Sequence, residues 1–318
     1  MTSSSLPPAK PAFNKPWLAY ADQVALLQQR GLVVADPAAA AAFLSHVNYY
    51  RFSGYCLAFE SARHTFVPNT TFEQVQAAYE FDRALCDLIT EALEVIELDV
   101  RTAIAYHFGQ QHGPFGHTDP VNFYAHFNHQ ARTDPRGRRV PGWIDKLHEE
   151  AERSSELFVT HYRVTYAEFP DLPIWMATEV MSFGALSQMF KGMLRPDQKA
   201  IAARYGRQPN DLASWLHHMV YVRNLCAHHS RLWDRIWSIK PDLPAGKVWS
   251  PPLLNSNNRL FATLLILRSM LGKCPTMAAI TTSWRQRVEA LLANPPASPN
   301  ASTLLGLSAN WKTHPCWV

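Results

Sequence analysis

Apolar side chains recur along this chain in steps of three and four residues, the period at which one face of an α-helix is buried. The pattern is clearest from Thr71 to about Phe108, where Leu85, Leu88, Ile89, Leu93, Ile96, Val100 and Ile104 form one stripe. Thr71 and Gln74 stand at capping-box spacing at its start. A shorter helix is predicted from Tyr20 to Arg30, stopped by Gly31, which can take the left-handed backbone that closes a helix. Asp36 before Pro37 predicts an N-cap and a first helical residue, opening an Ala-rich helix through about Val47. The aromatic run Asn48–Glu60 contains Gly54 and reads as a broken helix. Further helices are predicted over Trp143–Tyr166, over Pro173–Phe190, from Pro196, from Asp211 past Trp233, and near Asn258–Leu271 and Thr276–Leu292. Residues 109–142, rich in Gly, Pro, His and Arg, read as a long loop with a short helix around Phe123–His129.

No Val, Ile or Thr run alternates at period two, and no segment repeats at fixed length. The class is therefore all-α. Residues 1–16 are Pro- and Ser-rich and are expected to be flexible. Residues 17–66 read as an N-terminal helical extension, 67–294 as the main helical domain, and 295–318 as a weakly patterned tail. Of the 318 residues 47% are hydrophobic and only 18% charged, which provides a core and excludes a disordered scaffold. The net charge of +4 permits nucleic-acid binding without requiring it. Cys56, Cys86, Cys226, Cys274 and Cys316 form no CxxC pair, as expected for reduced thiols in a cytoplasmic protein. The first residues lack the apolar stretch of a secretory signal. The longest apolar run, Leu260–Met270, is interrupted by Thr263 and Arg268 and is too short to cross a bilayer, so no membrane association is expected.

The segment with most chemical potential is YVRNLCAHHSRLWDRIW, Tyr221–Trp237. Arg223 precedes His228 by five positions and His229 by six. An imidazole moves protons near neutral pH, and a guanidinium grips a phosphate through two parallel hydrogen bonds. Together they suit metal-independent RNA cleavage by the neighbouring 2′-hydroxyl. Spacing alone does not single the pair out, because Arg101 and His107 match it too in a chain with 14 His. Context adds weight. Read as one helix, Asn224 and His228 share a face that Arg231 and Arg235 extend, beside Val220, Leu225, Leu232, Ile236 and Trp237. The structural alternative pairs Arg223 with Glu94 or Glu97.

Other groups invite a reading. Tyr49, Tyr50, Arg51 and Tyr55 mix aromatic rings with a cation, suited either to stacking RNA bases or to packing an N-terminal arm. Arg132–Arg139 holds Arg136, Arg138 and Arg139, a basic loop that suits phosphates or simply solvent. His107, His112, His117, His126 and His129 follow no metal-ligand spacing and no HExxH occurs, so no metal is expected. Ser182 lacks a GxSxG elbow, and Phe183-Gly184 suits close helix packing.

YVRNLCAHHSRLW resembles the signature segment of the Abi-like (abortive-infection) family of the HEPN superfamily, whose motif is Arg, a polar residue, then His: here Arg223, Asn224 and His228. Four more blocks resemble the family in the same order. They are KPWLAYADQVALLQQRGLVV at Lys15–Val34, HVNYYRFSGYCLAF at His46–Phe59, ALEVIELDVRTAIAYHFG at Ala92–Gly109 and LPIWMATEVMSFGALSQMF at Leu172–Phe190. The resemblance implies a HEPN-like helical bundle and a metal-independent endoribonuclease toxin of phage defence, needing no cofactor. It implies a homodimer in which two such motifs form one composite cleft, and RNA as substrate. A structured small RNA acting as antitoxin or guide is a further implied partner. In this reading Arg223, Asn224 and His228 are catalytic, and His229, Glu97 and Arg101 support them. Arg231, Arg235, Tyr50, Arg51, Arg136, Arg138 and Arg139 are the expected RNA contacts. A non-catalytic binder of structured RNA is the alternative.

Overall fold

A computed structural model describes residues 12–274, 278–298 and 300–318. The expected flexible N-terminus falls mostly outside them. Helices dominate the described residues, with only two short hairpins beside them. The all-α class holds. The chain divides into two compact units, one up to Tyr79 and one from Glu80.

The first unit opens with α1 (Tyr20–Gln29), α2 (Pro37–Val47) and α3 (Tyr49–Cys56), then a hairpin of β1 (Glu60–Ala62) and β2 (Thr65–Phe66). Asp36 caps α2 as expected, its carboxylate accepting from the Ala38 and Ala39 N–H groups at 3.0 Å. Phe43, Phe52 and Phe72 form the aromatic core, with Phe52 stacked on Phe72 at 4.7 Å. The helix α4 (Phe72–His112) starts with the predicted reciprocal cap: Gln74 N–H donates to Thr71 Oγ1, and Thr71 N–H to Gln74 Oε1.

The second unit holds most of α4 and the helices α5 (Trp143–Arg153), α6 (Leu157–Thr165), α7 (Ile174–Val180), α8 (Phe183–Gly192), α9 (Arg195–Arg204), α10 (Pro209–Ala227), α11 (Leu260–Leu271), α12 (Ala278–Ala293) and α13 (Ala301–Leu305). A second hairpin, β3 (Arg132–Thr133) and β4 (Arg139–Val140), rises between α4 and α5. Ten of the twelve α11 residues are buried. A helix that is apolar all round is a core helix, and here that run of Leu and Ile is the centre of the unit rather than a surface element. The tail closes on it: Trp311, His314 and Trp317 all lie with their rings against Phe261.

Several predicted elements are divided. The segment expected as one helix over Trp143–Tyr166 is two, because Ser154 adopts an extended backbone between α5 and α6. Arg163 then donates from α6 to the Ala151 and Glu152 carbonyls, satisfying the end of α5 across the gap. The helix expected over Pro173–Phe190 breaks at Met181, and Ser182 caps α8 by accepting from the Ala185 N–H. Phe123–His129 is not helical; the Tyr124 N–H donates to the Gly192 carbonyl, and the Trp143 N–H to that of Asn128. The helix from Asp211 was expected past Trp233 but stops at Ala227.

Candidate functional site

The candidate site is built on the last two turns of α10. Leu212, Trp215, Leu216, Met219, Val222 and Cys226 fall on one side of this helix and are buried. Asn224, Ala227 and His228 lie away from that stripe and are exposed, and Arg223 is exposed at its edge, about 60° round the helix from Cys226. At 100° per residue Asn224 and His228 stand about 40° apart and share a face, while Arg223 stands about 140° round from His228. Among the described residues no carboxylate lies within 4 Å of the Arg223 guanidinium. Glu97, one of its two expected structural partners, pairs with Arg101 at 3.0 Å, and Glu94 is exposed.

The helix ends in a specific way. His228 is the C-cap, and its N–H donates to the Asn224 carbonyl. The His229 N–H donates to Cys226 and the Ser230 N–H to Leu225, the paired bonds of a Schellman ending. His229 carries φ +51°, a left-handed backbone that most often belongs to glycine. The adjacent histidines therefore differ: His228 completes the helix and His229 turns the chain away from it.

This turn overturns one expectation. Arg231 and Arg235 do not extend the motif face along a helix, since residues 230–237 are not helical. Both are half-buried, and the Arg235 Nε donates to the Arg231 carbonyl. Periodicity misled here because Leu232, Trp233 and Trp237 are buried by the path of the chain rather than by a helical face. Asp82, on α4, fixes that path. Its buried carboxylate accepts from the Trp233 N–H at 2.6 Å and the Leu232 N–H at 3.1 Å. His218 adds a second tie. Its Nδ1–H donates to the Ile239 carbonyl at 2.7 Å, which leaves Nε2 to accept from the Thr263 hydroxyl at 2.9 Å. Burial holds the His218 pKa down at about 4. The Cys226 thiol, between Arg223 and His228 in sequence, hydrogen-bonds to Cys86 on α4, and that bond pushes the Cys86 pKa up.

The remaining predicted residues lie apart. Arg101 is only 9% exposed and is a packing ion-pair partner. Glu150, on α5, has its pKa raised by burial, with Ser182, Arg153 and Arg101 acting the other way. His107 and His112 converge on the buried Asp197 carboxylate at 2.9 and 3.2 Å. Among the described residues no group of three or more His, Cys, Asp or Glu is arranged to hold a metal ion. In the first unit the aromatic segment splits. Tyr50 is 87% exposed and Arg51 is exposed. Tyr49 accepts from Arg30, and Tyr55 packs edge-on against Tyr79. In the basic hairpin Arg138 pairs with Asp134 and Arg139 with Asp145, while Arg136 is exposed.

Two residues at the site escaped sequence reasoning. Asp82 lies 150 positions from its partner in the chain, so no local pattern reveals it. His217 is exposed and lies seven residues before Asn224, which sets it two turns up on the same face; the spacing was there to be read.

A family model described as Abi-like protein matches residues 42–234, a span that runs from α2 to just beyond the motif. No curated protein and no solved structure matches the chain. Among the described residues no helix is long and apolar enough to cross a membrane.

Proposed function

The chain belongs to the Abi-like protein family, and on that premise we propose that it is a metal-independent endoribonuclease whose cutting site is built on Arg223, Asn224 and His228. Family membership suggests a role in abortive-infection defence. The observation that carries the enzymatic reading is an exposed guanidinium with no carboxylate within 4 Å among the described residues, five residues before an exposed imidazole at the same helix end. A helix C-terminus carries partial negative charge and by itself repels a phosphate. Arg223 supplies the cation that makes such a place habitable for one, and its two parallel N–H groups suit phosphate oxygens.

In this reading a His228 imidazole takes the proton of the 2′-hydroxyl as the 2′-oxygen forms a bond to phosphorus. The bond to the 5′-oxygen breaks, and that oxygen receives a proton from a second imidazole. The products are a 2′,3′-cyclic phosphate and a 5′-hydroxyl. Arg223 stabilises the charge that grows on the phosphoryl oxygens, and Asn224 orients the phosphate or the imidazole. One chain has one such motif, so the second imidazole comes from a second copy, and the enzyme is a cytoplasmic homodimer.

The alternative reading, a binder of a structured small RNA that does not cut, draws on the exposed Tyr50, Arg51 and Arg136. One experiment separates the two. Purified wild type and His228→Ala are incubated with RNA, with and without EDTA, and product ends are analysed. Cleavage by wild type alone, unaffected by EDTA and leaving cyclic phosphate, is expected. Salt-sensitive binding without cleavage would establish the alternative.

A further inference from the structure

The second unit holds a pocket of about 290 Å³ away from the α10 motif. It lies between the loop after α4, the first turn of α5 and the last turn of α8. Its lining includes three aromatic rings, Phe127, Trp143 and His126, of which Trp143 is buried and His126 exposed. Two lysines, Lys146 from α5 and Lys191 from α8, and the Gln188 amide complete the rim. Both lysines are exposed, and neither has a carboxylate within 4 Å among the described residues. The nearest acid in sequence, Asp145, is taken by Arg139 and by the Gly142 N–H. Two ammonium groups thus face an aromatic recess with no protein anion to neutralise them.

The recess is held open by backbone rather than by chance side-chain placement. A Cβ on Gly192 would fall 2.6 Å from the Phe127 ring, so only glycine lets that ring lie against the end of α8. The Tyr124 N–H donates to the Gly192 carbonyl at 2.9 Å, and Trp143 Nε1 donates to Ala185 at 3.1 Å. The Gln198 side chain covers the Phe190 and Lys191 carbonyls, which removes the bare negative end of α8 from the pocket. The basic hairpin rises from the same place, since Asn128 Nδ2 donates to the Pro141 carbonyl at its base. Within it, Arg132 and Arg136 are exposed.

We propose that this pocket binds a single phosphorylated nucleotide, its base against the aromatic wall and its phosphate between Lys146 and Lys191. The volume is near the lower end of the roughly 300–1,000 Å³ of small-molecule sites, which limits the occupant to about one nucleotide. Aromatic walls accept any base face, while an unengaged amide such as Gln188 can read a base edge. The nucleotide is either free or one residue of a single-stranded RNA whose neighbouring phosphates run onto the hairpin. The pocket is separate from the motif. Gly184, at the start of α8, lies beside Val220, one turn before Arg223, and Gly192 is eight residues, or about 12 Å, further along that helix. The inference does not depend on RNA cleavage.

The test is calorimetry on the full-length protein at low salt with 5′-UMP, 5′-AMP, uridine, inorganic phosphate and a single-stranded oligouridylate. The nucleoside monophosphates are expected to bind at least tenfold tighter than uridine or phosphate. Lys146→Ala/Lys191→Ala, two exposed changes that leave the melting temperature unaltered, are expected to weaken that binding at least tenfold. Gln188→Glu, which places an anion at the rim, is expected to weaken it similarly. If the substitutions weaken only the oligouridylate, the occupant is a residue of RNA; if they weaken the monophosphates as well, it is a free nucleotide too. Equal affinity for phosphate and nucleotide overturns the proposal. So does binding that the lysine substitutions leave unchanged, or no binding by any nucleotide or RNA.

Discussion

The ends of α1 and α10 share one hydrogen-bond design and differ in the residue that carries it. In α1 the Gly31 N–H donates to Gln28 and the Leu32 N–H to Leu27. In α10 the His229 and Ser230 N–H groups repeat those bonds to Cys226 and Leu225. Gly31 enters the left-handed region at φ +94°, where it has no side chain to clash. His229 enters it at φ +51°, which costs an L-residue roughly 1–2 kcal/mol. The position before each is also matched: Arg30 is the C-cap of α1 and His228 that of α10. The first ending is made with the residue that stops a helix at least cost. The second retains a side chain where glycine would be more stable, as four other non-glycine residues with positive φ do among the described residues. The bonds from Leu232 and Trp233 to Asp82 hold the costly turn in place.

The largest expected effect separates the two ends by activity. Arg223→Ala or His228→Ala should lower RNA cleavage by at least ~100-fold. Both residues are exposed, so denaturation should move by no more than about 0.5 kcal/mol. Arg30→Ala, at the matching cap of α1, should leave cleavage intact in the same assay. Next comes acid sensitivity, which α10 carries through the buried His218. Its pKa is held near 4, below the ordinary 6.5, so the unfolded chain binds the proton first. Its contribution to stability is complete above pH 6.5 and is lost as pH falls towards 4, on the order of 3 kcal/mol. The buried His117, with a pKa of about 3, acts in the same direction. Urea denaturation at pH 7 and pH 4.5 should show this loss, and His218→Gln should flatten part of it.

Asp82→Ala should cost about 2–3 kcal/mol, because it leaves the Leu232 and Trp233 N–H groups buried without an acceptor. Cleavage should fall with it as the turn after α10 loosens. An unchanged denaturation midpoint would show that the turn holds itself. The smallest pair addresses the two endings directly. Gly31→Ala should destabilise by about 1 kcal/mol and His229→Gly should stabilise by about as much. Cleavage is expected to survive His229→Gly; its loss would move the proton-transfer role from His228 to His229.

Much of the fold was legible where the determinants were local. The caps at Asp36 and Thr71, the stop at Gly31 and the stripe along α4 each depend on residues within a turn of one another. The motif face of α10 was legible for the same reason up to Ala227. Beyond it, an apolar spacing that still suited a helix predicted the wrong path for Arg231 and Arg235. The tail was unreadable because Trp311, His314 and Trp317 sit in one short 3-10 helix and the turn after it, too brief for a period to mark a buried side.

The sequence by itself therefore determined the helical class, the main amphipathic faces and the shared face of Asn224 and His228, since all of these follow from propensity, caps and the 3.6-residue period; that Arg223 is exposed rather than paired with Glu94 or Glu97 was decided by the tertiary structure. Tertiary structure supplied partners for the ends of three helices that no local pattern names. Arg163 satisfies the last carbonyls of α5, Gln198 those of α8, and Asp82 receives the chain that leaves α10. A helix end leaves several backbone groups unpaired, and a partner many residues away can meet them as well as a local cap does. Such a partner leaves no trace in the local pattern, and it is through Asp82 that the motif end of α10 acquires its shape.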